Sequence, residues 1–262
     1  MSNKNSGYLT FAIGLAEQAG QLMMSFYEQR LEPIWTSPTH FKTAADDAID
    51  NLIRNAIIER FPNHNIWSEE GTSQEKGSKL TWVVDAVDGT IGLRTGITDH
   101  FAVCIALCED KTPIVGVVNA PKRGELYTAE RGKGAFCNGS PIRVSELENI
   151  NQVLMGVDSG KYNRTAHLPY LEKLFGPKGI TLPLSTGSAS MILCLVASGI
   201  VHAHLATSLE PEDMAAAVCL IREAGGKATN LKGEEWQLGD ASILTANPIL
   251  YDKLSELLEL KG

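Results

Sequence analysis

The residues best suited to chemistry are carboxylates at the end of an apolar run. Trp82-Val83-Val84-Asp85-Ala86-Val87-Asp88-Gly89-Thr90 passes from an apolar stretch into two aspartates three positions apart, then a glycine and a hydroxyl residue. An apolar strand that ends in carboxylates presents them at a sheet edge, where a cation can sit. Magnesium prefers carboxylate and carbonyl oxygens in near-octahedral geometry. Asp85 and Asp88 can bracket one or two such ions, with the Val87 carbonyl between them. Gly89 lets the backbone approach a ligand closely. A helical turn beginning near Thr90 would aim the amides of Gly89 and Thr90 at a phosphate. Taken alone, the segment reads equally well as a β-turn, since Asp and Gly are common turn residues.

Three more acidic features recur along the chain, each with an ordinary reading beside it. Glu69 and Glu70 in Ile66-Trp67-Ser68-Glu69-Glu70-Gly71 follow a short strand, where glutamates usually serve as surface charge. Asp46 and Asp47 in Thr43-Ala44-Ala45-Asp46-Asp47 open a helix, whose N-terminus favours negative charge. Glu210-Pro211-Glu212-Asp213-Met214-Ala215-Ala216-Ala217 opens an Ala-rich helix with the same preference. His202 and His204 alternate in a strand candidate. Imidazoles suit softer metals and no third such ligand is near in sequence, so both read as strand-face residues.

These residues need elements to position them. Residues 8–29 have the spacing of an amphipathic helix, a loop with Pro33 and Pro38 follows, and a second helix covers about 43–61 with Thr43 as its N-cap. Strands are expected at 65–68, 80–86, 101–108, 113–119 and 125–130, which suggests helices layered on an antiparallel sheet. From about 150, strands at 152–157, 180–184, 201–206, 227–230 and 242–245 alternate with helices at 164–175, 187–199, 211–225 and 247–260. That alternation indicates an α/β unit. The expected organisation is an α+β subdomain over 1–145 and an α/β subdomain over 146–262, with a site between them.

Composition narrows the function. The chain has 262 residues, 44% hydrophobic and 21% charged, enough to build a large core. A net charge of −8 does not suit a nucleic acid polymer as partner, and it repels a phosphorylated ligand unless bound cations reverse the sign locally. The same charge also serves an ordinary solvated surface. The start, Met1-Ser2-Asn3-Lys4-Asn5-Ser6-Gly7, lacks a charged-then-apolar signal pattern, and no apolar run reaches membrane length. Cys104, Cys108, Cys137, Cys194 and Cys219 form no CxxC pair and read as reduced thiols of a cytoplasmic protein.

Order and spacing join the acidic features. Thr-x-x-Asp, Glu-Glu-Gly, Asp-x-x-Asp-Gly-Thr, Gly-Ser-Ala, Asp-x-Ala-Ala and Glu-Ala-Gly-Gly occur here in series, with a Gly-rich stretch at Gly132-Lys133-Gly134-Ala135-Phe136-Cys137-Asn138-Gly139. The series resembles the inositol monophosphatase family, of the lithium-sensitive, metal-dependent phosphatase superfamily, from about residue 8 to 250. The resemblance implies a layered α-β-α-β-α sandwich of the sugar-phosphatase type and hydrolysis of a small soluble phosphate monoester with two or three Mg²⁺ ions. By that pattern Glu69, Asp85 and the Val87 carbonyl hold one ion. Asp85, Asp88 and Asp213 hold a second, and a third leans on Glu69. Thr90 and Asp46 match the pair that orients and deprotonates the attacking water. Gly89, Thr90, Gly187 and Ser188 match stretches that touch phosphate or substrate, with Ala189 at a substrate wall. A homodimer and inhibition by Li⁺ are also implied.

The chain departs from the pattern in places. Ala86 stands where a proline is usual, and Glu212 where tryptophan is frequent. Glu210 and Glu212 flank Asp213, as helix caps or as readers of a cationic or hydroxylated substrate. Ala206 replaces a glutamate that contacts sugar hydroxyls in inositol-specific members, which weakens inositol monophosphate as the preferred substrate. Ile91-Gly92-Leu93-Arg94 matches neither expected continuation; Arg94 could meet a second substrate anion, but a surface arginine is the commoner case. Lys42 is expected to face solvent close to the site. Histidinol phosphate, a nucleotide 3′-phosphate or a sugar bisphosphate are alternative substrates. A catalytically silent ligand-binding relative and a structural metal-binding protein are readings of other classes.

Overall fold

The first two helices can bury their apolar stripes only against a sheet, and the strands that follow supply it. The computed structural model describes residues 6–27, 29, 31–71, 73–160, 163, 165–176, 179–180 and 182–260. The first five residues of the polar start lie outside that set, as do 28, 164 and 181 within three expected elements. Helix α1 (Ser6–Tyr27) leads to strands β1 (Ile34–Ser37) and β2 (His40–Lys42), then helix α2 (Ala44–Arg60). Next come β3 (Asn65–Ser68), β4 (Leu80–Asp88), the short helix α3 (Thr90–Thr95), β5 (Ala102–Glu109), β6 (Thr112–Ala120), β7 (Glu125–Glu130), β8 (Ala135–Cys137) and β9 (Ser140–Pro141). The rest comprises β10 (Leu154–Asp158), α4 (Leu168–Leu174), β11 (Leu182–Leu184), α5 (Ala189–Ala197), β12 (Ala203–Ala206), α6 (Pro211–Glu223), β13 (Lys227–Thr229), β14 (Ile243–Ala246) and α7 (Pro248–Leu258).

The strands form a seven-stranded sheet in chain order from β3 to β9, and a five-stranded sheet ordered β11-β10-β12-β14-β13. Helices α1 and α2 pack on one face of the first sheet, α5 and α6 lie between the sheets, and α4 and α7 pack together, with α7 against β14. The sequence α-β-α-β-α follows. Three apolar cores fill the spaces between layers. Gly116 matters to this arrangement: a Cβ there would lie 2.2 Å from the Ala216 carbonyl oxygen. Glycine on β6 and alanine on α6 therefore let helix and sheet meet backbone to backbone.

Three local expectations change. The segment with Pro33 and Pro38 is an antiparallel hairpin of β1 and β2, with Pro38 in its turn, where a missing N–H costs no ladder bond. The first sheet is mixed, because β3 runs parallel to β4 while the remaining pairs are antiparallel. The chain doubles back through an antiparallel bridge between Ile66 and Gln74 before β4, so β4 can re-enter in the direction of β3. The carboxylates of β4 are therefore not at an outer edge. They sit at the C-terminal end of a strand flanked by β3 and β5.

Candidate metal and phosphate site

Asp85 and Asp88 would face opposite sides of a regular strand, because side chains alternate along it. The β4–β5 ladder prevents this. Asp85 pairs with Cys104 and Asp88 with Ala102, so β4 carries one extra residue in a bulge. Val83, Cys104 and Ala102 belong to the core on the α5/α6 side, whereas Val84, Ala86 and Val87 belong to the core on the α1/α2 side. The bulge puts both aspartates on the inter-sheet side, a re-aiming that bulges near functional sites commonly perform. Gly89 then turns the chain at φ 88°, where a Cβ would lie 2.4 Å from the His100 carbonyl oxygen, and α3 starts at Thr90.

Parallel pairing brings in the next carboxylate. Ser68 is in register with Val84, and the Glu69 amide donates to the Val84 carbonyl at 3.3 Å, which sets Glu69 beside Asp85. Asp213 arrives from the first turn of α6, where its Oδ2 accepts from the Glu210 amide at 3.1 Å. One carboxylate oxygen from each of Glu69, Asp85 and Asp213 lies within 4.8 Å of the others. All-oxygen donors at that separation fit a hard divalent cation such as Mg²⁺. Asp85 is 1% exposed, Asp88 8% and Asp213 6%, so their charges cannot be left to water. Burial pushes the Asp88 carboxyl above its usual range, and the negative charge of Glu69 adds to the shift.

Other groups hold these carboxylates in place. Asp88 Oδ2 accepts from the Ser188 hydroxyl and from the Ser190 amide, both at 2.7 Å, at the start of α5. Asp46 Oδ2 accepts from the Thr43 amide at 2.8 Å and its hydroxyl at 2.6 Å, the capping box of α2. Asp46 Oδ1 accepts from the Thr90 hydroxyl at 3.2 Å, across 44 positions of sequence. Burial raises the proton affinity of Asp46, with Thr43 opposing the shift.

A cavity of about 270 Å³ opens over this cluster. Its lining includes Glu69, Asp85, Val87, Asp88, Gly89, Thr90, Gly187, Ser188, Ala189 and Asp213, all singled out in the sequence. Asp46 reaches it through Thr90. Sequence reasoning missed Thr39, His40 and Phe41 of the β1–β2 hairpin, with His40 Nε2 3.8 Å from Glu69 Oε1. It also missed Asp158, Ser159 and Gly160 beyond β10. Such residues carry no local motif, since only tertiary contacts bring them to the cavity.

The residues flanking the site meet expectation unevenly. Lys42 is not solvated: its side chain is 21% exposed and pairs with Asp47 at 2.6 Å and Glu70 at 3.0 Å. Glu212 accepts from the Trp67 indole at 3.0 Å, tying α6 to β3. Glu210 is the N-cap of α6, one of its two expected roles, and neither Glu210 nor Glu212 is among the described residues lining the cavity. Arg94 lies on the exposed side of α3, with its guanidinium over Phe41 and its Nε donating to the Leu31 carbonyl at 3.1 Å.

Comparison with known proteins follows the same lines. A family model described as the inositol monophosphatase family matches residues 4–261. Inositol monophosphatase 1 of Homo sapiens is 30% identical over 270 residues, covering 96% of this chain and 94% of its own length. The extragenic suppressor protein suhB of Bartonella henselae superposes with a TM-score of 0.88 at 28% identity, over 97% of this chain and 98% of that one. A staphylococcal inositol monophosphatase II solved with inositol monophosphate bound gives a TM-score of 0.80 at 27% identity, over 97% and 94% of the two chains. Among the described residues, no helix is long and apolar enough to cross a membrane.

Proposed function

The chain belongs to the inositol monophosphatase family and is a magnesium-dependent phosphatase of a small phosphate monoester; from that premise we propose how its own residues divide the work. Glu69, Asp85, the Val87 carbonyl, Asp88 and Asp213 hold two or three Mg²⁺ ions. The carrying observation is the convergence of Glu69, Asp85 and Asp213 oxygens within 4.8 Å at the floor of the cavity. Bound magnesium supplies charge neutralisation for the phosphoryl group and a lowered pKa for water.

The protein's part is positioning and proton handling. Thr90 and Asp46 orient the attacking water and accept its proton. The support is their 3.2 Å hydrogen bond and the raised proton affinity of buried Asp46, which suits a general base. Glu69 assists from the neighbouring strand. The amides of Gly89 and Thr90, and Gly187, Ser188 and Ala189 at the start of α5, cradle the phosphate and the adjoining alcohol. Those first-turn amides lack intrahelical acceptors and so suit an anion. No covalent enzyme intermediate is required.

The same proposal covers inhibition by Li⁺, a homodimeric assembly and a cytoplasmic location. Free cysteines among the described residues favour the last. A subdomain division at 145/146 accords with the gap between β9, which ends at Pro141, and β10, which starts at Leu154. Inorganic phosphate release with Mg²⁺ tests the reading. The panel is inositol 1-phosphate, histidinol phosphate, fructose 1,6-bisphosphate and adenosine 3′,5′-bisphosphate. Magnesium-dependent turnover of at least one is expected. Ligand binding without turnover across the panel would favour a silent relative.

A further inference from the structure

The cavity has a second wall, built at and just beyond the C-terminal end of β10, the strand that pairs with β12. Asp158 is the last residue of β10 and lines the cavity. Its Cα partner on β12 is Ala206, which offers only a methyl group, so Asp158 supplies the carboxylate on this stretch of wall. Two groups hold it. The Ser185 hydroxyl donates to Oδ1 at 3.1 Å, and His204 Nε2 lies 2.9 Å from Oδ2.

The histidine is built in rather than incidental. His204 is 0% exposed, and its other ring nitrogen, Nδ1, is buried with no hydrogen-bond partner. A buried N–H without an acceptor is costly, so the proton belongs on Nε2, donated to Asp158. The ring occupies space that only glycine leaves. His204 is in register with Gly156, where a Cβ would lie 2.7 Å from His204 Cδ2 and 2.5 Å from Ile192 Cγ1. Gly156, His204 and Asp158 thus form one unit: an absent side chain, a buried donor and a fixed acceptor facing the cavity.

Asp158 also lines a second cavity of about 320 Å³, with Leu171, Phe175, Pro183 and Leu184 on its sides. The alcohol portion of a substrate whose phosphate rests on the amides of Gly89 and Thr90 can extend along this wall, since Gly89, Thr90 and Asp158 line the same cavity. We propose that Asp158, positioned by His204 and Ser185, determines specificity by accepting a hydrogen bond from a donor on the alcohol portion of the phosphate ester. The shared chemistry is an O–H or N–H donor beyond the ester oxygen, from a polyol or a protonated amine. This rests on the phosphatase reading of the cavity.

The test uses ethyl and propyl phosphates carrying a terminal hydroxyl, a terminal ammonium or neither, with Mg²⁺ present. The readout is the ratio of kcat/KM for donor-bearing to donor-free esters. Asp158→Ala is expected to lower that ratio about 10- to 100-fold, the range for a hydrogen bond to a charged group. Asp158→Asn separates the sources: it retains the hydroxyl preference and loses the ammonium preference. His204→Gln and the milder Ser185→Ala are expected to raise KM for donor-bearing esters while kcat holds. A merely structural role would depress kcat for every ester. The proposal is overturned if Asp158→Ala slows all three kinds of ester by one factor and so leaves the ratio unchanged. Calorimetric binding of the same esters keeps the claims apart. Absent turnover in the wild type removes the phosphatase reading, while a binding preference lost in Asp158→Ala upholds Asp158.

Discussion

The two walls of the cavity are made differently. On one, Asp85, Val87, Asp88, Gly89 and Thr90 fall within six consecutive residues, and a single bulge aims them. On the other, Gly156 and Asp158 of β10, Ser185 just after β11 and His204 of β12 come from three stretches of chain and meet only because β11, β10 and β12 lie side by side. The first wall handles charge and water, a task common to every phosphate monoester. The second meets whatever alcohol the phosphate is attached to. A compact motif can encode a reaction, whereas selectivity is spread over positions that have no motif. Substitutions on the first wall should therefore act alike on all substrates, and those on the second unequally.

The largest expected effect is on the first wall. Asp88→Asn should lower kcat about 10³-fold or more on every ester turned over, consistent with losing a carboxylate that would hold the cation on which the transition-state charge depends. The fold should survive, because the asparagine side-chain oxygen can still accept from the Ser188 hydroxyl and the Ser190 amide. Phosphate release and thermal melting in EDTA check the two halves of this statement. A substrate-dependent loss would erase the contrast between the walls. Thr90→Ala comes next, at about 10²-fold in kcat, the usual scale for a group that positions a proton transfer. Its loss should also be uniform across esters. A third change reaches the first wall from behind. Gly116→Ala forces a Cβ against the Ala216 carbonyl and should cost about 1–3 kcal/mol of stability. By shifting α6 it should also weaken magnesium affinity through Asp213, read by calorimetric titration with Mg²⁺.

The legibility of the two walls follows their construction. Asp85, Asp88, Glu69, Asp213, Thr90 and Asp46 were identifiable because each sits at the end of a strand or the start of a helix, within a short pattern. The bulge was not, since it is a property of the pairing between β4 and β5 and not of either strand. The strands over 65–130 and the alternation after 150 were readable from period and turn residues. The β1–β2 hairpin was hidden by Pro33 and Pro38, which mark a loop when tertiary context is unknown. Asp158 and His204 were invisible as a pair because 46 positions separate them and Gly156, which makes room for the ring, looks like any other glycine.

The smallest predicted effect tests the electrostatics of the first wall. Burial raises the pKa of Asp46, Asp50 and Asp88, and pushes Glu70 up to about 7. In the unfolded chain these groups titrate near 4. Between the two values the folded state holds more protons than the unfolded state, so stability falls as pH rises through that window. Below the unfolded value the contribution is fully present. Histidines complicate any single curve: burial lowers His64, His100 and His202, which costs stability as pH falls below about 6.5. That second effect is the same with and without magnesium and cancels in the difference between the two melting curves. Magnesium requires deprotonated carboxylates, so its stabilisation should grow with pH. The gap in Tm between saturating Mg²⁺ and EDTA should widen by a few degrees from pH 5 to pH 8. Asp88→Asn should narrow it, and Asp158→Asn should leave it as it was. A gap independent of pH would mean that the crowded carboxylates are already neutralised by the protein itself, and the division of labour between the walls would then have to be drawn elsewhere.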